Sequence, residues 1–111
     1  MMVPGEMQGC KLVEGASMND LNASMDKVTD WLKADEHGYE LWLATPHFMP
    51  NQGYDFDMLW MGFWPSHAEQ MRGLKAFYTT ESGQRVGEAL NQVLDCSSMQ
   101  HVNSIRVRNE P

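Results

Sequence analysis

The sequence contains little of what a membrane protein or a nucleic-acid-binding protein needs. Its longest apolar run, residues 58–64, is far shorter than the roughly 20 residues of a membrane-spanning helix. Basic residues are also scarce, because eight Lys and Arg stand against fifteen Asp and Glu and give a formal net charge of -7. Such a charge repels polyanions and anionic membrane surfaces. We therefore expect neither a membrane nor a nucleic acid among its partners.

The N-terminus does not show the pattern of a signal peptide, which is a basic start, an apolar run and a small-residue cleavage site. A cytoplasmic location is therefore expected. The 111 residues are 42% hydrophobic and 21% charged, which is ordinary for a folded globular chain of this length. We expect one domain spanning residues 1–111, because the chain is too short for two separate cores.

Cysteine and histidine are too few, and too widely spaced, to predict a metal site. Cys10 lies near the start of the first predicted strand and Cys96 precedes the last, so in antiparallel neighbours the two sulfurs are expected at opposite ends of the sheet. Two reduced thiols, without a disulfide, are therefore predicted. The histidines lack ligand spacing: His37, His47, His67 and His101. No nucleotide-binding or nucleophile motif occurs either, so no cofactor is expected.

The chain alternates strand and helix signals in the order βαββαβ. Ser17 and Asp20 form a capping pair that opens the first helix, and Gly38 is suited to end it. Ser66 and Glu69 form a second capping box. The predicted strands cover residues 7–14, 39–45, 55–64 and 101–108, and the second helical region is broken at Thr79-Thr80 before residues 83–94. This order predicts an α+β, ferredoxin-like fold with an antiparallel sheet and both helices on one face.

Two neighbouring predicted strands, residues 39–45 and 55–64, are apolar on both faces. Alternation sends one set toward the helices: Leu41, Leu43, Leu59, Met61 and Phe63. It sends the other set to the open face: Trp42, Ala44, Met58, Trp60 and Trp64. Ser104, Arg106 and Arg108 are expected to join that face. An exposed apolar patch of this size marks an interface or a ligand site, so we expect a second copy of the chain to cover it.

The strand order, the broken second helix and the apolar open face resemble the dimeric α/β-barrel superfamily of ferredoxin-like proteins. Residues 56–70, FDMLWMGFWPSHAEQ, also look like small uncharacterised marine bacterial members of that group. The resemblance implies a homodimer in which two sheets pack face to face around a small cavity. It does not select one function, because the superfamily supports several.

Three functions remain open at this point. In the first, Trp42, Met58, Trp60 and Trp64 wall a cavity between the sheets, and Arg106 holds the acidic group of a small aromatic or fatty-acyl ligand. In the second, which the resemblance implies, a cofactor-independent monooxygenase or isomerase uses His47, Asn51, Trp60 and Arg106 in the same cavity. In the third, the chain is a structural subunit with a filled interface. Whether the protein is an enzyme is not decided by the sequence.

Overall fold

The computed structural model describes residues 2–35, 38–46 and 55–105 and has the predicted α+β architecture. Its elements in chain order are β1 (Met2–Leu12), α1 (Met18–Asp35), β2 (Glu40–Ala44), β3 (Met58–Phe63), α2 (His67–Thr79), α3 (Glu81–Asn91), β4 (Leu94–Cys96) and β5 (Gln100–Ile105). The broken second helix is confirmed as α2 and α3. The last predicted strand, residues 101–108, corresponds to β5, and β4 is a further short strand that was not predicted.

Local sequence signals explain where the helices begin and end. At the start of α1, the Asp20 backbone N–H donates to Ser17 Oγ at 3.1 Å, and the Ser17 N–H donates to Asp20 Oδ2 at 2.8 Å. Gly38 follows this helix with a φ of 72°, the left-handed conformation that glycine adopts readily. Ser66 Oγ accepts from the Glu69 N–H at 3.2 Å and caps α2. Both predicted capping sites are confirmed.

The sheet is antiparallel and has the order β2-β3-β1-β4, with β5 also paired to β1. The long strand β1 pairs with β5 through its first half and with β4 through its last three residues. Between the pairs Met7↔Gln100 and Cys10↔Cys96, β1 advances three residues while the opposite chain advances four. This extra residue is a β-bulge, and it separates β4 from β5 along the same side of β1.

The prediction of two separate thiols is wrong. Cys10 and Cys96 are directly opposite in the β1–β4 register, with their Cα atoms 4.0 Å apart, and they form a disulfide. The prediction placed Cys10 near the start of the first strand and Cys96 outside any strand, whereas Cys10 lies near the end of β1 and Cys96 closes the short strand β4. Disulfides are typical of oxidising compartments, so this bond removes one argument for a cytoplasmic location.

The core lies between the sheet and the helices. Leu21 of α1 packs there against the sheet residues Cys10, Met58 and Trp60. The segment that leaves α3 adds two more buried side chains, Val93 and Leu94. Within the described ranges no helix is both long and apolar enough to cross a membrane.

The predicted faces are right for β2 and reversed for β3. The register pairs Leu43 with Trp60 and Trp42 with Met61, so Trp42 and Trp60 lie on opposite faces. Trp60 is 7% exposed in the core, whereas Trp42 is 59% exposed. A register shift of one residue between two strands exchanges their faces, and the connection from β2 to β3, residues 45–57, is too long for its sequence to fix the register.

Met58 and Trp64 are displaced from the predicted open face for the same reason. Both are buried, and Met58 belongs to the core. We use the name open face for the sheet side away from the helices, where alternation and register place the residues Val3, Met7, Trp42, Leu59, Met61, Phe63 and Val102. Ser104, opposite Val3, lies on this face as predicted. The open face is still apolar, although its residues differ from those predicted.

Candidate functional site

A pocket of about 870 Å³ lies between the sheet and the helices. Residues of β1, β3 and all three helices line it, together with Tyr39, which precedes β2. Its aromatic lining residues are Trp31, Tyr39, Trp60, Trp64, Phe77 and Tyr78. A pocket of this size accommodates a drug-sized small molecule.

A chain of three hydrogen-bonded side chains lies on the sheet side of the pocket. Trp60 Nε1 donates to the Tyr39 hydroxyl at 2.9 Å, and that hydroxyl donates to Glu6 Oε1. The directions follow from the chemistry, because an indole N–H can only donate and the hydroxyl must then use its own proton on the carboxyl group. Glu6 therefore lines the pocket with its Oε1 atom held by the hydrogen bond from Tyr39.

Glu6 is 6% exposed, an unusual position for a carboxyl group. Burial raises the pKa of Glu6 above its ordinary value of 4.5, while hydrogen bonds from Tyr39 and Trp60 and the charge of His101 act in the opposite direction. Burial, together with the neighbouring Glu6 charge, also raises the pKa of Tyr39. The Tyr39 hydroxyl thus keeps its proton, and Glu6 is the member of the chain that can exchange one.

Gly62 makes room for this chain. It lies beside Glu6 in the β1–β3 register, and a Cβ atom built on it would lie 1.8 Å from the Tyr39 hydroxyl oxygen. Real Cβ atoms do not approach so closely, so any larger residue at this position must displace the tyrosine. The glycine in β3 therefore provides the space that the Tyr39 hydroxyl occupies.

Trp64 contributes a buried donor that the described protein does not satisfy. The residue is 5% exposed, and its indole Nε1–H has no hydrogen-bond partner among the described residues. Its ring packs against the Tyr39 ring with centroids 4.6 Å apart. Because buried polar groups are normally paired, this donor is an exception within the described part of the chain.

The helices supply the apolar side of the pocket. Trp31 of α1 contacts Phe77 of α2, with ring centroids 5.9 Å apart, and donates from Nε1 to Ser82 Oγ of α3 at 3.1 Å. Aliphatic residues of the same helices complete this wall: Val28, Leu32, Leu74, Val86 and Leu90. The charged lining residues besides Glu6 are Lys11, Glu14 and Asp95, and Lys11 is ion-paired with Asp55 at 3.1 Å. The charged part of the lining is thus mostly acidic.

The residues predicted as a binding site do not lie together. Trp60 and Trp64 line the pocket, Met58 is packed in the core, and Trp42 lies on the open face. The other predicted residues, His47, Asn51 and Arg106, lie outside the described residues. Within the described part of the chain no group of three or more His, Cys, Asp or Glu is placed to hold a metal.

Sequence reasoning missed Glu6, Tyr39 and Gly62. The predicted first strand excludes Glu6, since Pro4 and Gly5 disfavour strand structure, yet β1 begins at Met2. An acidic residue at an inward position between Pro4 and Cys10 is the available signal once the strand is extended. Gly62 carries a similar signal, because an isolated glycine inside a strand often marks a close approach.

Comparison with known proteins identifies the fold. No family model matches the chain, and no curated protein matches its sequence. A dimeric ferredoxin-like protein of unknown function from Jannaschia sp. CCS1 superposes with a TM-score of 0.63 at 10% identity, covering 96% of this chain and 100% of that one. The chain therefore has a ferredoxin-like α+β fold, as the predicted resemblance required.

Two structurally similar proteins are enzymes. The cofactor-independent oxygenase SnoaB from Streptomyces nogalater has a TM-score of 0.59 at 11% identity, with 99% of this chain and 97% of that chain covered. The hydroxynitrile lyase of Passiflora edulis has a TM-score of 0.63 at 12% identity, with the same coverage of 99% and 97%. At such identities the likeness establishes the fold alone.

Proposed function

We propose that this protein binds a small, neutral, largely aromatic molecule in the pocket between its sheet and its helices. The observation that carries the proposal is the hydrogen-bonded chain Trp60–Tyr39–Glu6, which faces a pocket of about 870 Å³ whose lining is largely apolar and aromatic. Binding sites for small molecules typically combine such a lining with a few fixed polar groups. The proposal moves the site from the space between two sheets to the helix side of one sheet.

The charges favour a neutral ligand over the anionic ligand that the sequence suggested. Lys11 and Asp95 lie opposite each other between the inward pairs Cys10↔Cys96 and Leu12↔Leu94, so their charged ends point to the open face. The carboxylates left in the pocket lining are those of Glu6 and Glu14. A ligand carboxylate would be repelled by these groups and would lose its hydration on entering. The expected role of Arg106 in holding an acid remains a prediction, since this residue lies outside the described ranges.

We also propose that two copies of the chain associate through the open face. Met7, Met61 and Phe63 lie there side by side across the two central strands. Trp42, next to Met61 in the register, is 59% exposed. The similar protein from Jannaschia is dimeric, which supports self-association of a chain with this fold.

The pocket also supports an enzymatic role. SnoaB and the Passiflora lyase show that this fold can carry catalysis, and Glu6 is a buried acid suited to proton transfer. The purely structural alternative, a filled interface between two copies, stays a prediction, because the pocket lies on the other side of the sheet. We also propose a cytoplasmic location. Alkylation of free thiols in intact cells tests it, because finding Cys10 and Cys96 oxidised would contradict this location.

Calorimetric titration with 2-naphthol and 2-naphthoate tests the proposed ligand class. These probes share a ring system and differ in charge at neutral pH, so we expect the neutral phenol to bind at least tenfold more tightly. Leu90→Trp, which places an indole in the pocket, should weaken 2-naphthol binding at least tenfold. Glu88→Trp adds the same side chain at an exposed position of α3 and should leave binding unchanged. Equal binding to both variants, or tighter binding of 2-naphthoate, would contradict the proposal.

A further inference from the structure

We propose that Cys96 is a site of thiol–disulfide exchange, and that the Cys10–Cys96 disulfide is a clamp on β4 whose opening weakens ligand binding in the pocket. The modifying reagent would be a small dithiol, which supplies the two electrons that reduction of the disulfide requires. This inference rests on the proposed function, because it assigns a means of regulating the same pocket.

The two sulfur atoms differ in how a thiol can reach them. Cys10 is 0% exposed and belongs to the core, whereas Cys96 is half-buried and lines the pocket. Among the described strands β4 lies at an edge of the sheet, so the line from Cys10 to Cys96 runs outward from the central strand β1. Exchange begins when a thiolate attacks one sulfur in line with the bond that breaks. Cys96 can therefore be attacked from the sheet edge, and Cys10 only through the core.

The exchange balances with one dithiol as the only co-reactant. One thiolate of the reagent forms a bond to Cys96 Sγ, and the electron pair of the Cys10–Cys96 bond leaves on Cys10 Sγ. The second thiolate of the reagent then attacks the reagent sulfur in this mixed disulfide, which closes a cyclic disulfide and releases Cys96 Sγ. The two protons of the dithiol end on Cys10 and Cys96. A neutral Cys10 thiol suits the core, because it behaves as a small apolar group.

Few other bonds attach β4 to the sheet. It has three residues, and among the described strands it pairs with β1 alone. Two backbone hydrogen bonds extend this pairing, from the Val13 N–H to the Val93 oxygen at 2.9 Å and from the Ser97 N–H to the Gly9 oxygen at 2.8 Å. The β-bulge separates β4 from the longer pairing of β5 with β1. Once the disulfide is broken, β4 can part from β1 without disrupting β5.

The segment that the disulfide holds is also part of the pocket. Leu94, Cys96 and Met99 line it. The bond joins residues 86 positions apart, so it strongly restricts the separation of the two strands. Without it, β4 can open locally while the remaining sheet stays folded. The pocket then lacks a fixed wall at this end, and its ligand binds less tightly. In a reducing cytoplasm thiols would keep the pair open, so tight binding is expected only after oxidation.

Reduction by dithiothreitol tests whether Cys96 is attacked in the folded protein. The thiols that form are trapped by alkylation at intervals and counted by mass spectrometry. We expect the reduction rate to change less than about twofold between zero urea and concentrations just below the unfolding transition, because attack at the sheet edge requires no unfolding. A reduction rate that rises in parallel with the unfolded fraction would overturn the assignment of Cys96.

Hydrogen exchange followed by NMR tests whether the disulfide clamps β4. The measured quantity is the ratio of the amide exchange rates of β4 to those of the central strand β3, before and after reduction. We expect this ratio to rise by roughly tenfold or more on reduction, since β4 gains a local opening that β3 does not share. Equal acceleration in both strands indicates a uniform loss of stability, and it would overturn the clamp, as would an unchanged rate in both.

Calorimetric titration with 2-naphthol, with and without dithiothreitol, tests the control of the pocket. We expect the wild-type protein to bind roughly tenfold more weakly after reduction. The variant Cys10→Ala/Cys96→Ala should bind equally with and without the reagent, and Cys96→Ala serves as this control if the double variant fails to fold.

The binding outcomes separate this inference from the proposed function. Equal affinity of the wild-type protein before and after reduction would overturn the regulation of the pocket. Failure of the oxidised protein to bind 2-naphthol would instead contradict the proposed function, and the exchange of the β4 amides would still decide whether the disulfide is a clamp.

Discussion

The two faces of the sheet differ in their unusual residues: the helix side has a buried carboxyl group, and the open face has exposed apolar side chains. On the helix side, β1 and β3 place Glu6, Gln8 and Trp60 around a buried pocket. On the open face, the same two strands place Met7 beside Met61, next to the exposed Trp42. Buried polar groups and exposed apolar groups are the informative exceptions to ordinary burial. The helix side therefore indicates chemistry, and the open face indicates association.

The strongest test of this contrast is a charge on the open face. Met61→Glu places a carboxylate at the centre of the proposed interface, where association would remove it from water. We expect the dimer to weaken by about 3 kcal/mol, which is roughly 100-fold in dissociation constant. Sedimentation equilibrium over a range of concentrations measures this change directly.

The matched control for this substitution is Met71→Glu. Met71 is 66% exposed on α2, so the same change at this position should leave the association constant near the wild-type value. Ligand binding in the helix-side pocket should survive in both variants. An unchanged dimer in Met61→Glu would show that the open face has another purpose.

A smaller effect is expected from a methyl group on the helix side. Gly62→Ala places a Cβ where the Tyr39 hydroxyl lies, so the ring must move and its bonds to Glu6 and Trp60 must lengthen or break. We expect a loss of about 2 kcal/mol in unfolding free energy, because a buried carboxyl loses its donor. Urea unfolding measures this loss, and calorimetry should show weaker binding of 2-naphthol.

Tyr39→Phe separates the two contributions to that result. It removes the hydroxyl without forcing the ring to move, so its cost should be smaller than that of Gly62→Ala. A Gly62→Ala variant as stable as the wild type would mean that the tyrosine has another place to go and that the hydrogen-bonded chain is not needed for stability.

The sequence predicted the elements of this fold better than the partnerships among them. Capping signals at Ser17 and Ser66 are local, and the structure has both helix starts where they were expected. Strand register is not local, because it depends on how two strands pair, and the connection between β2 and β3 is too long for its sequence to fix that pairing. A shift of one residue was enough to place Trp60 on the wrong face while Trp42 remained correctly placed.

The candidate site could not be predicted for the same reason, because it depends on contacts between residues that are distant in the sequence. The disulfide depends on a short strand, β4, and a bulge after it, neither of which has a clear sequence pattern. Glu6 and Tyr39 are 33 residues apart in the sequence. They meet because only one strand, β3, lies between β1 and β2 in the sheet. Trp60 and Trp64 were predicted to wall a cavity, but one between two sheets instead of the pocket between the sheet and the helices.

The smallest predicted effect concerns the pH dependence of stability. Because burial raises the pKa of Glu6, the folded protein holds a proton at pH values where the unfolded chain has lost it. The stabilisation is complete below about pH 4.5, the ordinary value for Glu, and is lost as the pH rises through the folded-state pKa. Glu6→Gln removes this titration and retains an acceptor for Tyr39.

The melting temperature of Glu6→Gln should therefore rise relative to wild type as the pH is raised from 4.5 to 8, by about 4 °C for a difference on the order of 1 kcal/mol. Two titratable groups adjoin Glu6: His101 is its partner in the β1–β5 register, and Tyr39 is its hydrogen-bond donor. The other titratable residues that line the pocket are Lys11, Glu14, Tyr78 and Asp95. A His101→Gln background removes the imidazole whose charge acts on Glu6. The effect of Glu6→Gln should persist in that background, and parallel melting curves at every pH would contradict a raised pKa for this carboxyl group.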